Sequence, residues 1–392
     1  MAFQVASSFE LELQNYKNMK RIIGFLAVAM IIASCAREGS VKLIRPSKFK
    51  TEVAGKPVAL YTLKGGDITM QVTNFGARVV TLWTPDREGK YQDIVLGYKR
   101  IEDYVNNPGE RFLGAVVGPY ANRIADGTYT IDGETYEMPK NNNGQTLHGG
   151  FEGLDMVVWD VDHVSDSLIT LSYLHEDGQE GKPGNVVIMM TYALTHDNKF
   201  IVNYYAESDK KTHVNISHHS FFNLKGEGNG TINDHVLWIN ASNTTPVNEY
   251  LIPTGEIADV TGTPFDFRTP KPIGQDLEVD DEQLKNGLGY DHNWVLDRKT
   301  EKKVELAASV YEPASGRYME VWRDQPGLQF YGGNFFDGTV KGKYGKPHGY
   351  RESIALETQK FPDTPNHPDF PSTLVYRGAP YRHKCIYAFG TK

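Results

Sequence analysis

The chain has 392 residues, of which 40% are apolar and 23% charged, with 38 glycines and 20 prolines. This balance is typical of a globular protein and excludes collagen, a coiled coil and wholesale disorder. The net charge of −8, with no run of lysines and arginines, argues against a nucleic-acid partner, because phosphate neutralisation supplies most of that affinity.

The first predicted feature is an export signal. Met19-Lys20-Arg21 precedes an apolar run over 22–33, which Ser34-Cys35 follows. This pattern is typical of a secretory signal peptide, and about a dozen apolar residues are too few to cross a bilayer. Ile-Ala-Ser-Cys at 32–35 resembles the bacterial lipobox, in which the cysteine becomes the lipidated first residue. We therefore expect an exported bacterial lipoprotein, held in the periplasm or cell envelope by lipid on Cys35.

Three segments are predicted along the chain. Residues 1–34 are expected to comprise an over-extended N-terminus and the lipoprotein signal peptide, with Met19 as the true start because 1–18 have no basic start of their own. Residues 35–56 are expected to be a polar tether. Residues 57–392 show no break in composition and no internal repeat, which predicts a single domain.

Beyond the tether, apolar and polar residues alternate, as at Ile68, Met70 and Val72, and this alternation predicts strands. Only residues 275–286 are predicted to form a helix. Short strands punctuated by glycine and proline predict an all-β, antiparallel sandwich or barrel. Three pairs of strands flank turn-forming residues and are predicted to be hairpins, namely 129–131 with 134–136, 186–194 with 200–206, and 319–322 with 328–331.

Several familiar site motifs are absent. The chain has no His-Glu-x-x-His and no paired Cys-x-x-Cys, and it lacks a phosphate-binding loop and a Gly-x-Ser-x-Gly elbow. His218 and His219 are adjacent, so in a strand their rings would point to opposite faces. We therefore predict no metal site.

Five polar clusters stand inside otherwise apolar β sequence. Each has an ordinary explanation alone, such as a surface salt bridge for Arg123 or a satisfied core position for His219. Together they offer a histidine acid, a carboxylate base and hydroxyl-binding groups, which acid–base chemistry on a sugar requires. The two glycines after His148 would let the backbone approach a ligand closely. The clusters are 119–124, 146–150, 217–224, 290–294 and 356–359.

The order and spacing of these clusters resemble the aldose 1-epimerase (galactose mutarotase) family over 61–389. Asn-Arg-Ile-Ala-Asp-Gly at 122–127 and Thr-Leu-His-Gly-Gly at 146–150 are similar to family signatures. His-Ser-Phe-Phe-Asn-Leu at 219–224 is also similar, with Phe221 where the family has Tyr. Asp291-His292-Asn293 and the tail at 357–363 match as well, with Thr358 in place of the usual Pro.

The resemblance implies a β-supersandwich with an open cleft, and an aldose 1-epimerase that interconverts the α and β anomers of aldohexoses such as glucose and galactose. It implies that His219 is the general acid and Glu357 the general base. It implies no required cofactor and leaves a structural cation such as calcium open. It also implies a monomer whose partner is a monosaccharide. The implied sugar-binding residues are Asn122, Arg123, His148, Asp291 and Gln329.

Three other functions stay open at this point. A silent sugar-binding lipoprotein would use the aromatic residues and Arg123 but would not need both His219 and Glu357. A hexose-6-phosphate 1-epimerase would need additional cations at the cleft, against which the acidic charge of the chain argues. A lyase or glycosidase could place Asp291 and Glu357 as two carboxylates across the scissile bond.

Overall fold

The computed structural model describes residues 41–300 and 303–392. The predicted signal peptide and Cys35 lie outside the described residues. Within the described ranges, no helix is both long enough and apolar enough to cross a membrane.

Antiparallel strands are the main regular secondary structure of the described residues, which confirms the predicted all-β class. The largest sheet has nine strands, all paired antiparallel. In spatial order these strands are Asp160–Val164, Leu168–His175, Val186–Leu194, Lys199–Ser208, Tyr381–Thr391, Arg317–Arg323, Glu305–Tyr311, Val236–Ile239 and Lys271–Pro272.

A second sheet has five strands and carries much of the candidate site. In spatial order it consists of Ala258–Asp259, Ala241–Thr245, Asp291–Leu296, Gly327–Tyr331 and Ala355–Gln359. A third sheet has four strands, Leu60–Gly65, Ile68–Thr73, Arg78–Pro85 and Tyr91–Asp93. The inward faces of the three sheets contribute to one apolar core, which gives the layered arrangement of a β-sandwich.

Short elements complete the fold. Five two-stranded sheets pair Thr51–Val53 with Lys56–Val58, Ala115–Val117 with Ser217–His219, Arg123–Ile124 with Thr146–Leu147, Thr128–Ile131 with Glu134–Glu137, and Thr212–His213 with Leu374–Val375. Among the described residues, the α-helices are Ile101–Asn106 and Glu282–Gly287. The 3₁₀ turns are Pro46–Lys48, Ala125–Gly127, Gln179–Gly181, Ile273–Asp276 and Thr364–Asn366.

Two of the three predicted hairpins are confirmed. Thr128–Ile131 pairs with Glu134–Glu137, and the turn residues Asp132 and Gly133 both have positive φ, as a type I′ turn requires. The longer pair, Val186–Leu194 with Lys199–Ser208, forms the third and fourth strands of the nine-stranded sheet.

The third predicted hairpin is wrong, although both of its strands exist. Arg317–Arg323 belongs to the nine-stranded sheet and Gly327–Tyr331 to the five-stranded sheet. The first strand already has a partner on each edge, Glu305–Tyr311 on one side and Tyr381–Thr391 on the other. With both edges occupied, the chain crosses to the other sheet after Arg323.

The predicted tether and helix also need correction. Ile44 and Phe49 are buried in a core cluster, and Gln71 accepts a hydrogen bond from Ile44 N and donates one to Ile44 O. From residue 44 onward the supposed tether is therefore folded. The helix predicted over 275–286 is confined to Glu282–Gly287, which begins where Asp281 caps it, and the helix Ile101–Asn106 was not predicted.

Lys182 is buried without an acidic partner among the residues that the structure describes. Its side chain is fully buried, Nζ donates to His213 O at 2.5 Å, and the ring centre of Tyr129 lies 5.7 Å away. No carboxylate of the described residues lies within ion-pair distance of it. This burial lowers the pKa of Lys182 to about 7, whereas the pKa of a lysine in an unfolded chain is about 10.4.

Lys182 should make stability depend on pH. Between about pH 7 and pH 10 the unfolded chain binds more protons at this residue than the folded chain, so the free energy of unfolding should rise with pH. One such group contributes at most about 1.4 kcal/mol per pH unit. Urea unfolding across this range should show the slope in the wild type and its loss in Lys182→Met. The exposed control Lys50→Met should keep it, and an unchanged slope in Lys182→Met would contradict the assignment.

Candidate active site

The polar face of the five-stranded sheet forms one wall of the site. Asn293 stands opposite Gln329, and Gln329 stands opposite Glu357 in the register of three neighbouring strands. Side chains alternate along a strand, so these residues and Asp291 share one face. The opposite face enters the core through Trp294, Leu328, Phe330 and Leu356.

A short strand brings His219 to Glu357. Ser217–His219 pairs with Ala115–Val117, and Ser217 Oγ donates to Thr358 O at 3.0 Å, which fastens this strand to the last strand of the five-stranded sheet. His219 Nε2 then lies 3.2 Å from Glu357 Oε1, with only 5% and 2% of the two side chains exposed. The two groups are within reach of direct proton exchange.

The rings of His218 and His219 lie on opposite sides of their strand, as predicted. His218 lies in the core, where its Nδ1 is 2.9 Å from Tyr192 Oη and its Nε2 is 2.7 Å from Ser220 Oγ. His219 instead contacts the ring of Phe221 at a centre distance of 4.7 Å. The alternation explains why only one of the two adjacent histidines reaches the site.

Arg123 and Asp291 form a second charged pair. Arg123 Nη1 lies 3.8 Å from Asp291 Oδ2, and Arg123 Nε donates to Asn142 Oδ1 at 3.4 Å. Gln329 Nε2 donates to Asp291 Oδ1 at 2.7 Å. This carboxylate is thus fixed by an amide and a guanidinium, with Arg123 retaining donors for a ligand.

Asn122 and His148 hold each other in place. Asn122 N donates to His148 Nδ1 at 3.0 Å, and His148 N donates to Asn122 O at 3.1 Å. Both residues have positive φ, 65° and 53°, a strained conformation that non-glycine residues adopt mainly at functional sites and tight turns. Because Nδ1 accepts a hydrogen bond, the neutral His148 ring carries its proton on Nε2.

These residues meet at one cavity of about 250 Å³. Glu357 and Gln329 lie just beyond its lining, in contact with His219 and Asp291. The structure thus brings together every site residue predicted within the described ranges. The lining consists of Glu110, Phe112, Asn122, Arg123, Asn142, Leu147, His148, His219, Phe221, Asp291, Tyr331 and Phe335.

Burial dominates the electrostatics of the site. It lowers the pKa of His219 to about 3 and, together with the nearby Asp291 carboxylate, raises the pKa of Glu357 well above its usual range. Burial also raises the pKa of Asp291, and the Arg123 guanidinium opposes that effect. Burial therefore favours the carboxylic acid form of Glu357 and the neutral form of His219.

A sequence profile of the aldose 1-epimerase family matches residues 59–388. The chain belongs to this family. The galactose mutarotase of Rattus norvegicus is 41% identical over 86% of this chain and 95% of its own length. The aldose 1-epimerase of Escherichia coli strain K12 is 36% identical over 81% of this chain and 90% of its own length. Family membership makes the chain an isomerase.

Solved structures of family members share the fold. An aldose epimerase homologue from C. elegans has a TM-score of 0.79 and 29% identity, covering 85% of this chain and 99% of its own. The galactose 1-epimerase of Lactobacillus acidophilus has a TM-score of 0.76 and 28% identity, covering 88% and 97%. These likenesses confirm the galactose mutarotase-like sandwich expected from the motifs.

Part of the epimerase cavity escaped the motif analysis. Phe112 contacts the His148 ring at 4.5 Å and the His219 ring at 5.9 Å, and Glu110 accepts a hydrogen bond from Phe112 N. Phe335 stacks on Tyr331 at 5.5 Å. The alternation of 328–331 could have placed Tyr331 beside Gln329, but nothing local marks the other three.

A buried ion cluster holds the Phe112 segment in place. Arg111 makes a bidentate ion pair with Asp155 at 2.7 and 2.9 Å. Arg78 is fully buried and donates to the carbonyl oxygens of Arg111, Leu113 and Asp155. Through this cluster the four-stranded sheet fixes one wall of the cavity.

The glycines after His148 serve packing within the protein. A Cβ on Gly149 would collide with the backbone of Gly118, and one on Gly150 would collide with the Glu180 carboxylate. Glu180 in turn accepts hydrogen bonds from Phe151 N and Glu152 N. The expectation of close approach to a ligand is therefore corrected, because protein atoms occupy that space.

One group of described residues has the spacing of a metal site. Ligand atoms of His148, His219 and Glu357 lie within 4.8 Å of one another. The donor set fits a metal poorly, because Nδ1 of His148 already accepts the Asn122 N–H and its Nε2 carries the remaining proton. This arrangement suits hydrogen-bond donation by His148 better than metal ligation.

The tautomer of His148 is open to direct measurement. Burial and the neighbouring His219 and Arg123 hold the pKa of His148 well below its ordinary value, so the ring should stay neutral through the pH range in which ordinary histidines become protonated. Long-range ¹H–¹⁵N correlation spectra should show a protonated Nε2 and an unprotonated Nδ1 over this range. Titration near the ordinary histidine pKa, or a protonated Nδ1, would contradict the hydrogen bond from Asn122.

Proposed function

We propose that this epimerase interconverts the α and β anomers of an aldohexose such as glucose or galactose, with Glu357 as base and His219 as acid. The observation that carries the proposal is the buried His219–Glu357 contact of 3.2 Å beside a cavity that also presents Arg123 and Asp291. General acid–base catalysis requires two such groups within reach of adjacent oxygens.

The reaction needs two proton transfers in each direction. The Glu357 carboxylate takes the proton of the C1 hydroxyl, and the His219 imidazolium gives its proton to the ring oxygen. The C1–O5 bond breaks and C1 becomes an aldehyde. After rotation about C1–C2, His219 takes the proton back from the O5 hydroxyl and Glu357 returns one to the carbonyl oxygen. The protein is regenerated, and no cofactor is required.

The electrostatics of the pair favour the open-chain complex. Ring opening converts the charged pair into a carboxylic acid and a neutral imidazole. Burial stabilises these same neutral forms, since it raises the pKa of Glu357 and lowers that of His219. The site thus lowers the cost of the less stable, open form of the sugar, and one proton is shared by the pair throughout.

The remaining site residues would hold the sugar hydroxyls. Arg123 offers a rigid fork of donors, Asp291 offers acceptors, and Nε2–H of His148 offers one further donor. Asn122 positions His148 through its main chain, and Gln329 orients Asp291. The buried Oε1 of Gln329 has no partner among the described residues, which suits a sugar hydroxyl as donor.

The charge of the cavity argues against the other functions. Arg123 is the cation among the lining residues and already faces Asp291, so a phosphorylated sugar would find no unpaired cation in this lining. Asp291 is engaged by Arg123 and Gln329, which disfavours a glycosidase that uses it as a free carboxylate. A silent binding protein would have no use for a desolvated acid–base pair.

Substitution of the pair tests the proposal. Glu357→Gln and His219→Asn should each lower kcat for anomer interconversion roughly 10² to 10⁴-fold, measured by polarimetry. The double variant should be little slower than the slower single variant, because the two residues act as a unit. Arg123→Lys should raise KM, since one ammonium cannot replace the fork.

The pH profile gives a second measure of the same pair. Activity should fall when the pair gains a second proton or loses its single one. Because the pKa of His219 is lowered and that of Glu357 raised, the plateau between the two limbs should be broad. A wild-type rate in Glu357→Gln with the fold intact would show that this residue is not the base.

We also propose that the chain is exported and anchored by lipid on Cys35, which rests on the sequence pattern at 19–35. Intact-mass analysis of the membrane fraction should show a diacyl or triacyl adduct and the loss of residues 1–34. Cys35→Ser should release the protein from that fraction without changing its activity. An unmodified Cys35 in a processed, soluble chain would end the proposal.

A further inference from the structure

A short segment near the start of the described chain concentrates unpaired positive charge. Lys42, Arg45, Lys48 and Lys50 stand in it with no acidic residue between them, although the chain as a whole carries a net charge of −8. All four residues are exposed, and none of them forms an ion pair within the part of the chain that the structure describes. We call the surface formed by residues 42–50 the basic strip.

The basic strip is held firmly against the four-stranded sheet. Gln71 of that sheet accepts a hydrogen bond from Ile44 N at 2.8 Å and donates one to Ile44 O at 2.9 Å. Ile44 and Phe49 are buried in one core cluster, and a 3₁₀ turn, Pro46–Lys48, lies between them. Because these two apolar side chains are buried, the strip presents its cations and Leu43, which is 43% exposed, on the outer surface.

The proposed lipid anchor would bring this strip close to a membrane. Val41, the first described residue, follows Cys35 by six positions. A fully extended chain covers at most about 3.6 Å per residue, so Val41 lies within about 22 Å of the residue that carries the lipid. So short a link raises the effective concentration of a second contact to the millimolar range, and a weak affinity for lipid headgroups is then sufficient.

The chemistry of the strip matches an anionic lipid surface. Each lysine or arginine close to a bilayer of anionic phospholipids raises the affinity about fivefold. The partly exposed Leu43 among the cations adds an apolar contact at the headgroup boundary. The acidic net charge of the whole chain repels such a surface, so approach through the strip is favoured over approach in other orientations.

We propose that the basic strip docks on the anionic phospholipid surface of the membrane in which Cys35 is anchored, so that the enzyme is held there in one orientation. The inference rests on the proposed lipid anchor and goes beyond it, since a lipid on one residue retains the domain without orienting it. No residue of the strip lines the sugar cavity, so docking requires no change in the proposed catalytic residues.

Vesicle binding by the processed chain without lipid, residues 36–392, tests the strip independently of the anchor. This chain should fold, because the core clusters are built from residues 44–389. We expect it to co-sediment at low salt with vesicles of phosphatidylglycerol and phosphatidylcholine, but not with phosphatidylcholine alone, and physiological salt should weaken the binding. Equal binding to both vesicles, or none to the anionic ones, would overturn the inference and leave the anchor and the epimerase activity standing.

Matched triple variants then assign the surface. Substitution of three strip cations by glutamine should lower the affinity for anionic vesicles about a hundredfold, at about fivefold for each cation. Substitution of three exposed, unpaired cations elsewhere changes the net charge equally and should alter the affinity less than twofold. Both variants should keep the wild-type rate of anomer interconversion, which checks the fold. Equal losses of affinity in the two variants would overturn the assignment to the strip. The strip variant is Arg45→Gln/Lys48→Gln/Lys50→Gln and the control is Lys299→Gln/Lys303→Gln/Arg377→Gln.

Amine labelling reports the orientation of the lipidated protein itself. In anionic vesicles, acetylation of Lys48 and Lys50 should be slowed at least threefold relative to detergent solution, whereas Lys299 should react equally in both. Unprotected Lys48 and Lys50 on a chain whose Cys35 carries lipid would show that the anchor exists and that the strip does not dock. Binding of the unlipidated chain to heparin but not to anionic vesicles would likewise overturn the inference, in favour of an anionic glycan.

Discussion

The site depends on the register between Gly327–Tyr331 and Ala355–Gln359. Gln329 stands directly opposite Glu357, which places their Cβ atoms about 5 Å apart on the polar face of the sheet. A slip of one residue would turn Glu357 into the core and Leu356 into the cavity. Such a slip would forfeit roughly 2 kcal/mol for each large apolar side chain exposed and would bury a carboxyl group without its partners. Core packing therefore fixes the position of the proposed base.

Desolvation shapes the chemistry once the register is fixed. His219 and Glu357 are both buried, so each favours its uncharged form, and their contact allows one proton to be held between them. Arg123 and Asp291 are also buried but face each other, which keeps a charged pair available for hydroxyl groups. The His219–Glu357 pair therefore favours uncharged groups, whereas the Arg123–Asp291 pair favours charged ones. The difference arises because only the second pair combines a permanent cation with a carboxylate.

Contacts between sheets decide features that local patterns leave open. The turn after Arg323 has the composition of a hairpin, yet the strand before it is paired on both edges and the chain must cross to another sheet. The polar segment before residue 57 looks like a tether, yet Ile44 and Phe49 find a core cluster to fill. In both cases the outcome depends on strand edges and core space that residues distant in the chain either occupy or leave free.

The sequence by itself determined the all-β class, the two local hairpins, the family and the set of candidate site residues that the structure brings together. These follow from short-range properties, namely alternation with period two, turn residues such as Asp132-Gly133, and motifs of four to six residues. Only the tertiary structure decided how the site is assembled. The clamp between Ser217 and Thr358 joins residues 141 positions apart, and the Arg78 cluster that holds the Phe112 wall draws on three separate segments. Such contacts depend on which strand edges and buried cavities remain free after the sheets have packed, and no local pattern records that.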